Sequence, residues 1–329
     1  MPEAREWRPA ATLDFLRLRA ELLTRIRRYF NSAGVLEVDT PALSMGGATD
    51  PAIQSFITTY HGPGSCHGAG FYLHTSPEFP MKRLLAAGTG SIYQICKVFR
   101  DGESGRYHNP EYTLLEWYRA GCDHVALMAE VESLLRAVLV DIMPLAPARY
   151  WTYRELFKTT AGIDPATSTV NEIRQVLNAR GISASPGLTE DMFDGWLDLL
   201  LTHVIEPALD TGLVFVSDYP ASQAALARLR SGDPPVAERF EVYLGGIELA
   251  NGYHELTDAA EQRRRFEQDN ARRCARGLAT VEPDRRLLAA MQSGLPDCAG
   301  VALGIDRLLM IAGGAAHIDE VIAFPLEHA

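Results

Sequence analysis

From residue 13 to residue 30, apolar side chains (Leu13, Phe15, Leu16, Leu18, Leu22, Leu23, Ile26, Tyr29 and Phe30) recur close to every 3.6 positions, with arginines on the opposite side. That spacing predicts an amphipathic helix. Gly34 is a natural stop, and "VLEVDTP" then alternates like a strand closed by Pro41. The stretch "MGGATDPAIQSFITTYHGPGSCHGAGFYLHT" mixes loops with short strands. "SPEFPMKRLLAAG" reads as a helix ending at Gly88 with Pro80 in its first turn, and residues 91 to 118 as two long strands joined by a polar loop.

Between about 151 and 211 short helical patterns alternate with Pro and Gly, ending in "VIEPALDTG" before the strand "LVFVSDYP"; this predicts an insertion within one domain. From Phe240 a hairpin resumes. A charged helix, "DAAEQRRRFEQDNARRCARG", follows, and then a strand entering a helix, "GVALGIDRLLMIAGG". Strands clustered as hairpins, without β-α-β alternation, predict an α+β architecture around an antiparallel sheet flanked by helices.

Composition narrows the function classes. The chain has 329 residues, 47% of them hydrophobic, enough to bury a sizeable core. Its formal charge of −11 works against a protein that binds by neutralising many phosphates of a nucleic acid. Five widely spaced cysteines (Cys66, Cys96, Cys122, Cys274 and Cys298) form no C-x-x-C pair, so neither a disulfide framework nor a zinc site is suggested, and a reducing cytoplasm fits. No apolar run approaches the roughly eighteen residues of a membrane span, and "MPEAREWRPAATLD" lacks the order of a signal peptide.

The candidate chemistry begins in "RFEVYLGGIELANGYHEL". Gly245-Gly246 is a strong two-residue turn, which predicts the pairs Leu244 with Ile247, Tyr243 with Glu248 and Glu241 with Ala250. Glu241 and Glu248 become diagonal neighbours roughly 7 Å apart or less at Cβ, a seat for a divalent ion such as Mg²⁺ or a solvated polar face. A bulge at Gly252 would bring Asn251 and Glu255 to the same side. Arg307 stands in what reads as the first turn of a helix after Gly304, where a cation is unfavourable unless an anion is bound. Arg100, at a strand end, is a second clamp, and the two arginines with the acidic hairpin predict a triphosphate site. It is not a P-loop, because no G-x-x-x-x-G-K-[ST] occurs. The cluster "HGPGSCHG" reads as a loop and not as a metal site.

These pieces carry a family resemblance. "GVLEVDTP", "FRDGESGRYHNPEYTLLEWY" and "GVALGIDRLLM" resemble motifs 1, 2 and 3 of class II aminoacyl-tRNA synthetases. "HTSPE" and "ELANGYHEL" are similar to the lysine-specific elements of the lysyl-tRNA synthetase family, and the likeness runs over nearly the whole chain. "YPASQAALA", "VAERFEVY" and "PDCAGVALG" resemble the freestanding branch that attaches (R)-β-lysine to a lysine side chain of elongation factor P.

The resemblance implies a single catalytic domain over residues 1 to 329, with no anticodon-binding domain because the chain begins at the motif 1 helix. It implies ATP and Mg²⁺ as cofactors, Arg100 on the α-phosphate and Arg307 on the γ-phosphate as catalytic residues, and Glu241 and Glu248 as metal ligands. The nucleotide would also meet Asp101, Gly102, Glu103, Asn109, Tyr112, Leu249 and Gly304. Ser76, Pro77, Glu78, Glu116, Tyr118, Asn251, Glu255 and Ala302 would take the amino acid. The partners implied are lysine or (R)-β-lysine, elongation factor P as acceptor and a second copy of the chain packed through the motif 1 helix and Pro41; tRNA and membranes are not among them. The family's motif 2 usually reads Arg-Asn/Asp-Glu, whereas Gly102 intervenes here, so the adenine contact moves to Glu103 or is lost. Ala302 stands where lysyl-tRNA synthetases typically carry glycine. The readings that compete are a truncated lysyl-tRNA synthetase, an amide-forming paralogue with another acceptor, and an inactive regulatory paralogue.

Overall fold

The computed structural model describes residues 7–64, 66–184, 187–209 and 212–329. Ser65 of the expected loop, the N-terminal residues 1–6, and four positions of the expected insertion (185, 186, 210 and 211) lie outside them. In chain order the elements are α1 (Leu13–Ser32), β1 (Leu36–Glu37), β2 (Leu43–Ser44), β3 (Ile57–Thr59), β4 (Gly70–Leu73), α2 (Glu78–Ala86), β5 (Ile92–Phe99), β6 (Glu111–Ala120) and α3 (His124–Leu139). They continue with β7 (Arg149–Thr152), α4 (Tyr153–Ala161), α5 (Val170–Asn178), α6 (Phe193–Leu200), β8 (Leu213–Pro220), β9 (Leu229–Arg230), β10 (Val236–Leu244) and β11 (Ile247–His254). The last are α7 (Ala259–Ala275), α8 (Arg285–Gly294), β12 (Cys298–Gly304) and α9 (Ile305–Gly313).

One sheet organises the molecule, in the order β1-β5-β6-β12-β11-β10-β8-β7, with β9 added beside β10. Its interior pairs are antiparallel, as the hairpin pattern predicts. Only at its two ends is the expected antiparallel sheet mixed, where β1 and β7 run parallel to β5 and β8. Each edge strand arrives by a long connection, which a hairpin count along the sequence does not register. A small sheet, β2-β4-β3, stands apart.

The alternation of β10 shows how the sheet divides labour. Phe240, Val242 and Leu244 join Leu22, Ile26 and Phe30 of α1 and the apolar faces of α3 and α9 in the largest core. Glu241 and Tyr243 point the other way, as period two requires. On that second face the helices α4 to α6 form their own core with β8, built on Tyr153, Phe157, Trp196, Val214 and Val216. Local signals set the helix ends. Thr12 caps α1 by accepting from the Phe15 N–H, and Thr152 with Glu155 forms a capping box on α4. Pro80 falls in the first turn of α2, where its missing N–H costs nothing. α3 and α8 are helices that stand outside the sequence-based expectations.

Candidate active site

A cavity of about 1630 Å³ opens on the Glu241 face of the sheet. Of the residues expected at the site, Ser76, Glu78, Arg100, Glu103, Asn109, Tyr112, Glu116, Tyr118, Glu241, Glu248, Leu249, Asn251, Glu255, Ala302, Gly304 and Arg307 all line it. Pro77, Asp101 and Gly102 do not. Pro77 sits at the N-cap of α2, and the exposed Asp101 donates its N–H to the Gln54 carbonyl, which leaves these three beside the cavity.

The hairpin β10–β11 needs one correction of register. Tyr243 does face Glu248 and Leu244 faces Ile247, but Glu241 faces Asn251 and Val242 faces Ala250. Leu249 is therefore the extra residue of a bulge, three positions before the expected one at Gly252. The bulge puts Glu248, Asn251, Tyr253 and Glu255 on the cavity side together. Gly252 has a different reason to be glycine: a Cβ there would lie 2.5 Å from the Phe240 ring and 2.9 Å from the Gly300 carbonyl.

Two guanidinium groups frame one end. Arg100 lies over the Tyr112 ring at 5.4 Å and holds only long contacts, 3.4 Å to the Thr75 carbonyl and 3.5 Å to Glu103. Arg307, in the first turn of α9, donates to the Glu248 carbonyl at 2.8 Å and carboxylate at 3.2 Å. It also donates at 2.7 Å to His108, whose ring is kept neutral by burial and then by Arg307 itself. The same first turn carries a buried carboxylate, Asp306, which accepts from the Thr113 N–H at 2.6 Å and pairs with Arg19 of α1. The helix dipole thus already meets one anion, and the sequence argument from Arg307 alone is incomplete.

Glu241 is buried, accepting from Arg239 and from the Tyr243 hydroxyl, each at 2.5 Å. Arg239 also donates to the Gln223 carbonyl at 2.9 Å and to Asn251 at 3.2 Å, and stacks 4.4 Å over Tyr219. A third acid joins this pair. Burial, and then Glu248 and Glu241, push the Glu206 carboxyl up to about 7. Hard oxygen donors crowded until one of them keeps a proton near neutrality suit Mg²⁺.

At the other end is a charge-dense floor. Glu116 accepts from the Ser76 and Tyr118 hydroxyls at 2.7 and 2.6 Å. Burial, then Glu78, raise its pKa to about 7. Glu255 is raised to about 8, again by burial first. Between them lies Lys82, 1% exposed, its ammonium 2.6 Å from both Glu78 and Glu255. Burial opposes that ammonium, but Glu255 and Glu78 more than offset it and hold the pKa above the usual lysine value. With all three carboxylates ionised, one lysine leaves two negative charges, the complement of a diamino acid's two ammonium groups. Ala302 sits between Glu116 and Asn251 on β12, and a Cβ on Gly300 would overlap Tyr118 at 2.3 Å and Glu255 at 2.5 Å.

Lys82, Arg239, Gly300, Glu206 and His108 are site residues that sequence reasoning missed. Two of them left a signal: Lys82 lies four positions after Glu78 on a helix, and Arg239 two positions before Glu241 on a strand.

A family model described as tRNA synthetases class II (D, K and N) matches residues 4–328. The chain belongs to this family. α1 with β1, β5 with β6, and β12 with α9 are the places of its three class II motifs, and all three border the cavity described above or its supporting core. Curated relatives cover the chain end to end. "Elongation factor P--(R)-beta-lysine ligase" of Vibrio cholerae is 50% identical over 325 residues, 98% of this chain and 99% of that one. Proteins of the same name from Salmonella arizonae and Klebsiella pneumoniae are each 48% identical over 330 residues, the full length of both chains. Among the described residues, no helix of this class II synthetase chain is long and apolar enough to cross a membrane.

Proposed function

We propose that this chain activates (R)-β-lysine, or lysine, with ATP as an aminoacyl-adenylate and transfers it to a lysine side chain of elongation factor P. The observation that carries the reading is the buried pocket of Glu78, Glu116, Glu255 and Lys82, in a chain about half identical over its full length to ligases of that name. A carboxylate oxygen of the amino acid attacks the α-phosphorus of ATP, a P–O bond forms, and pyrophosphate leaves. Arg100 grips the α-phosphate and Arg307 the γ-phosphate, and the fixed guanidiniums stabilise charge as it develops. Glu241 and Glu248 would hold Mg²⁺, which would supply neutralisation of charge on the phosphate oxygens. The neutral amine of the acceptor lysine then attacks the adenylate carbonyl, forming an amide, releasing AMP and losing one proton.

The test is transfer of labelled (R)-β-lysine to purified elongation factor P, with tRNA as the parallel acceptor. Label on elongation factor P supports the reading; label on tRNA alone, or none with either, rejects it. The reading includes a cytoplasmic location and a single catalytic domain with an insertion near 151 to 211, which one cooperative unfolding transition would support. It includes a homodimer through α1 and Pro41, because Leu13, Leu36, Leu43 and Ile57 leave apolar surface exposed there. Sedimentation as a monomer at micromolar concentration would remove that part.

The pocket also sets a pH dependence. In the substrate-free protein Glu116 and Glu255, raised to about 7 and about 8, keep part of their protons at neutral pH. Raised carboxylates hold more protons folded than unfolded, so they stabilise the empty fold at acid pH and that stability fades as pH climbs to about 8. Ammonium groups of a bound diamino acid favour the ionised form. Binding is therefore expected to release protons and to tighten between about pH 6 and 8. Calorimetry in two buffers of different ionisation enthalpy measures the release; proton uptake, or affinity falling over that range, would contradict it.

A further inference from the structure

Away from the cavity, the ends of three segments bring together His124 at the start of α3, Glu238 on β10 and His254 at the end of β11. One ligand atom from each lies within 4.8 Å of the other two. Both imidazoles are buried, His124 to 4% exposure and His254 to 8%, and their rings stack 6.3 Å apart. We propose that His124, His254 and Glu238 form a zinc site that ties the start of α3 to the end of the β10–β11 hairpin.

The second observation that points to a ligand is an orphaned atom. His124 Nδ1 is buried and has no hydrogen-bond partner among the described residues, although burial of such an atom ordinarily costs free energy unless something binds it. The other nitrogens are placed as a metal site requires. His254 Nδ1 lies 2.6 Å from Glu238 and its Nε2 lies 3.1 Å from Asp297. His124 Nε2 lies 3.9 Å from Asp218. His254 thus offers one nitrogen to the cluster and one to the outer carboxylate of Asp297, the arrangement that orients a ligating imidazole, while Asp218 stands beyond direct hydrogen-bond reach of His124. The outer acids are themselves paired, Asp297 with Arg228 at 2.5 Å and Asp218 with Arg230 at 2.6 Å; Arg230 also approaches Glu238 at 3.8 Å.

The donor set selects the ion. Two imidazoles and one carboxylate suit Zn²⁺, with water as a fourth ligand, and disfavour Mg²⁺ or Ca²⁺, which take oxygen. Asp297, the most exposed of the outer acids, marks an entry path. The ion would brace the segment that precedes Glu255 in the pocket, and the Arg228 N–H bond to the His254 carbonyl at 2.8 Å extends the brace to the loop before β9. The site is independent of the acceptor proposed above.

The test uses the full-length protein, stripped with a chelator and dialysed against Zn²⁺ with Mg²⁺ in excess to fill the catalytic carboxylates. Elemental analysis is expected to find one zinc per chain, Co²⁺ in its place should show the visible absorption of a low-coordinate site, and the melting temperature should rise with zinc. His124→Ala should weaken binding by at least about tenfold, whereas Glu241→Gln should retain one zinc. No bound zinc in the wild type, or equal binding in His124→Ala, would overturn the proposal. If that variant does not fold, anomalous diffraction from a zinc-soaked wild-type crystal decides: a peak between His124 and His254 supports the site, and a peak elsewhere or none removes it.

Discussion

Replacing Arg100 by alanine is expected to lower amino-acid-dependent ATP–pyrophosphate exchange by about 10³-fold while leaving the melting temperature nearly unchanged. The two halves of the expectation have separate grounds. Among the described residues the Arg100 side chain makes only long hydrogen bonds, at 3.4 and 3.5 Å, so its removal breaks little that holds the fold. Its guanidinium nevertheless faces the cavity beside Tyr112, where charge developing on a phosphate would meet it. Arg100→Lys should recover only part of the rate, since an ammonium keeps the charge but loses the planar fork that grips two oxygens at once. Pyrophosphate exchange within about tenfold of wild type in Arg100→Ala would place the α-phosphate elsewhere.

Lys82→Met should behave in the opposite way, with a large loss of stability accompanying the loss of activity. The side chain is fully inside, and its two ion pairs at 2.6 Å leave Glu78 and Glu255 without a counter-charge once it is gone. Breaking a buried ion pair from one side typically costs about 3–5 kcal/mol, because an uncompensated charge stays behind. The penalty depends on pH with a definite sign. At pH 8 the orphaned Glu255 is forced to ionise or to hold its proton far above the ordinary carboxylate range; near pH 5 it is protonated and the penalty shrinks. Urea unfolding at both values measures this. The double variant Lys82→Met/Glu255→Gln should regain most of the stability and none of the activity, since the charge balance of the pocket has then lost an acid the substrate needs. A Lys82→Met protein within about 1 kcal/mol of wild type at pH 8 would show that the pocket is not balanced in this way.

How much of the site could be read beforehand depended on whether the information was local. Arg100, Glu116 and Tyr118 share one motif, and the shared strand face of Glu116 and Tyr118 was legible from period two, while the roles expected of all three came with the family resemblance. Gly245-Gly246 announced the hairpin for an equally local reason. The bulge left no such mark. Leu249 is an ordinary strand residue, and only the pairing of β11 with β10 shows that one residue is extra there. Gly252 attracted the expectation because it is glycine, while the structure assigns that glycine to the close approach of Phe240.

By itself the sequence determined the helices and strands whose apolar period is strong, the motifs that carry Arg100, Arg307 and the acids, and the membership of a class II synthetase family. These depend on residues a few positions apart, where backbone geometry alone fixes who shares a face. Only the tertiary structure decided the parallel edges of the sheet, the pairing of Lys82 with Glu255 and the meeting of His124 with His254. Those pairs join segments up to more than a hundred residues apart, and which side chain answers a buried charge is settled by packing and not by spacing along the chain.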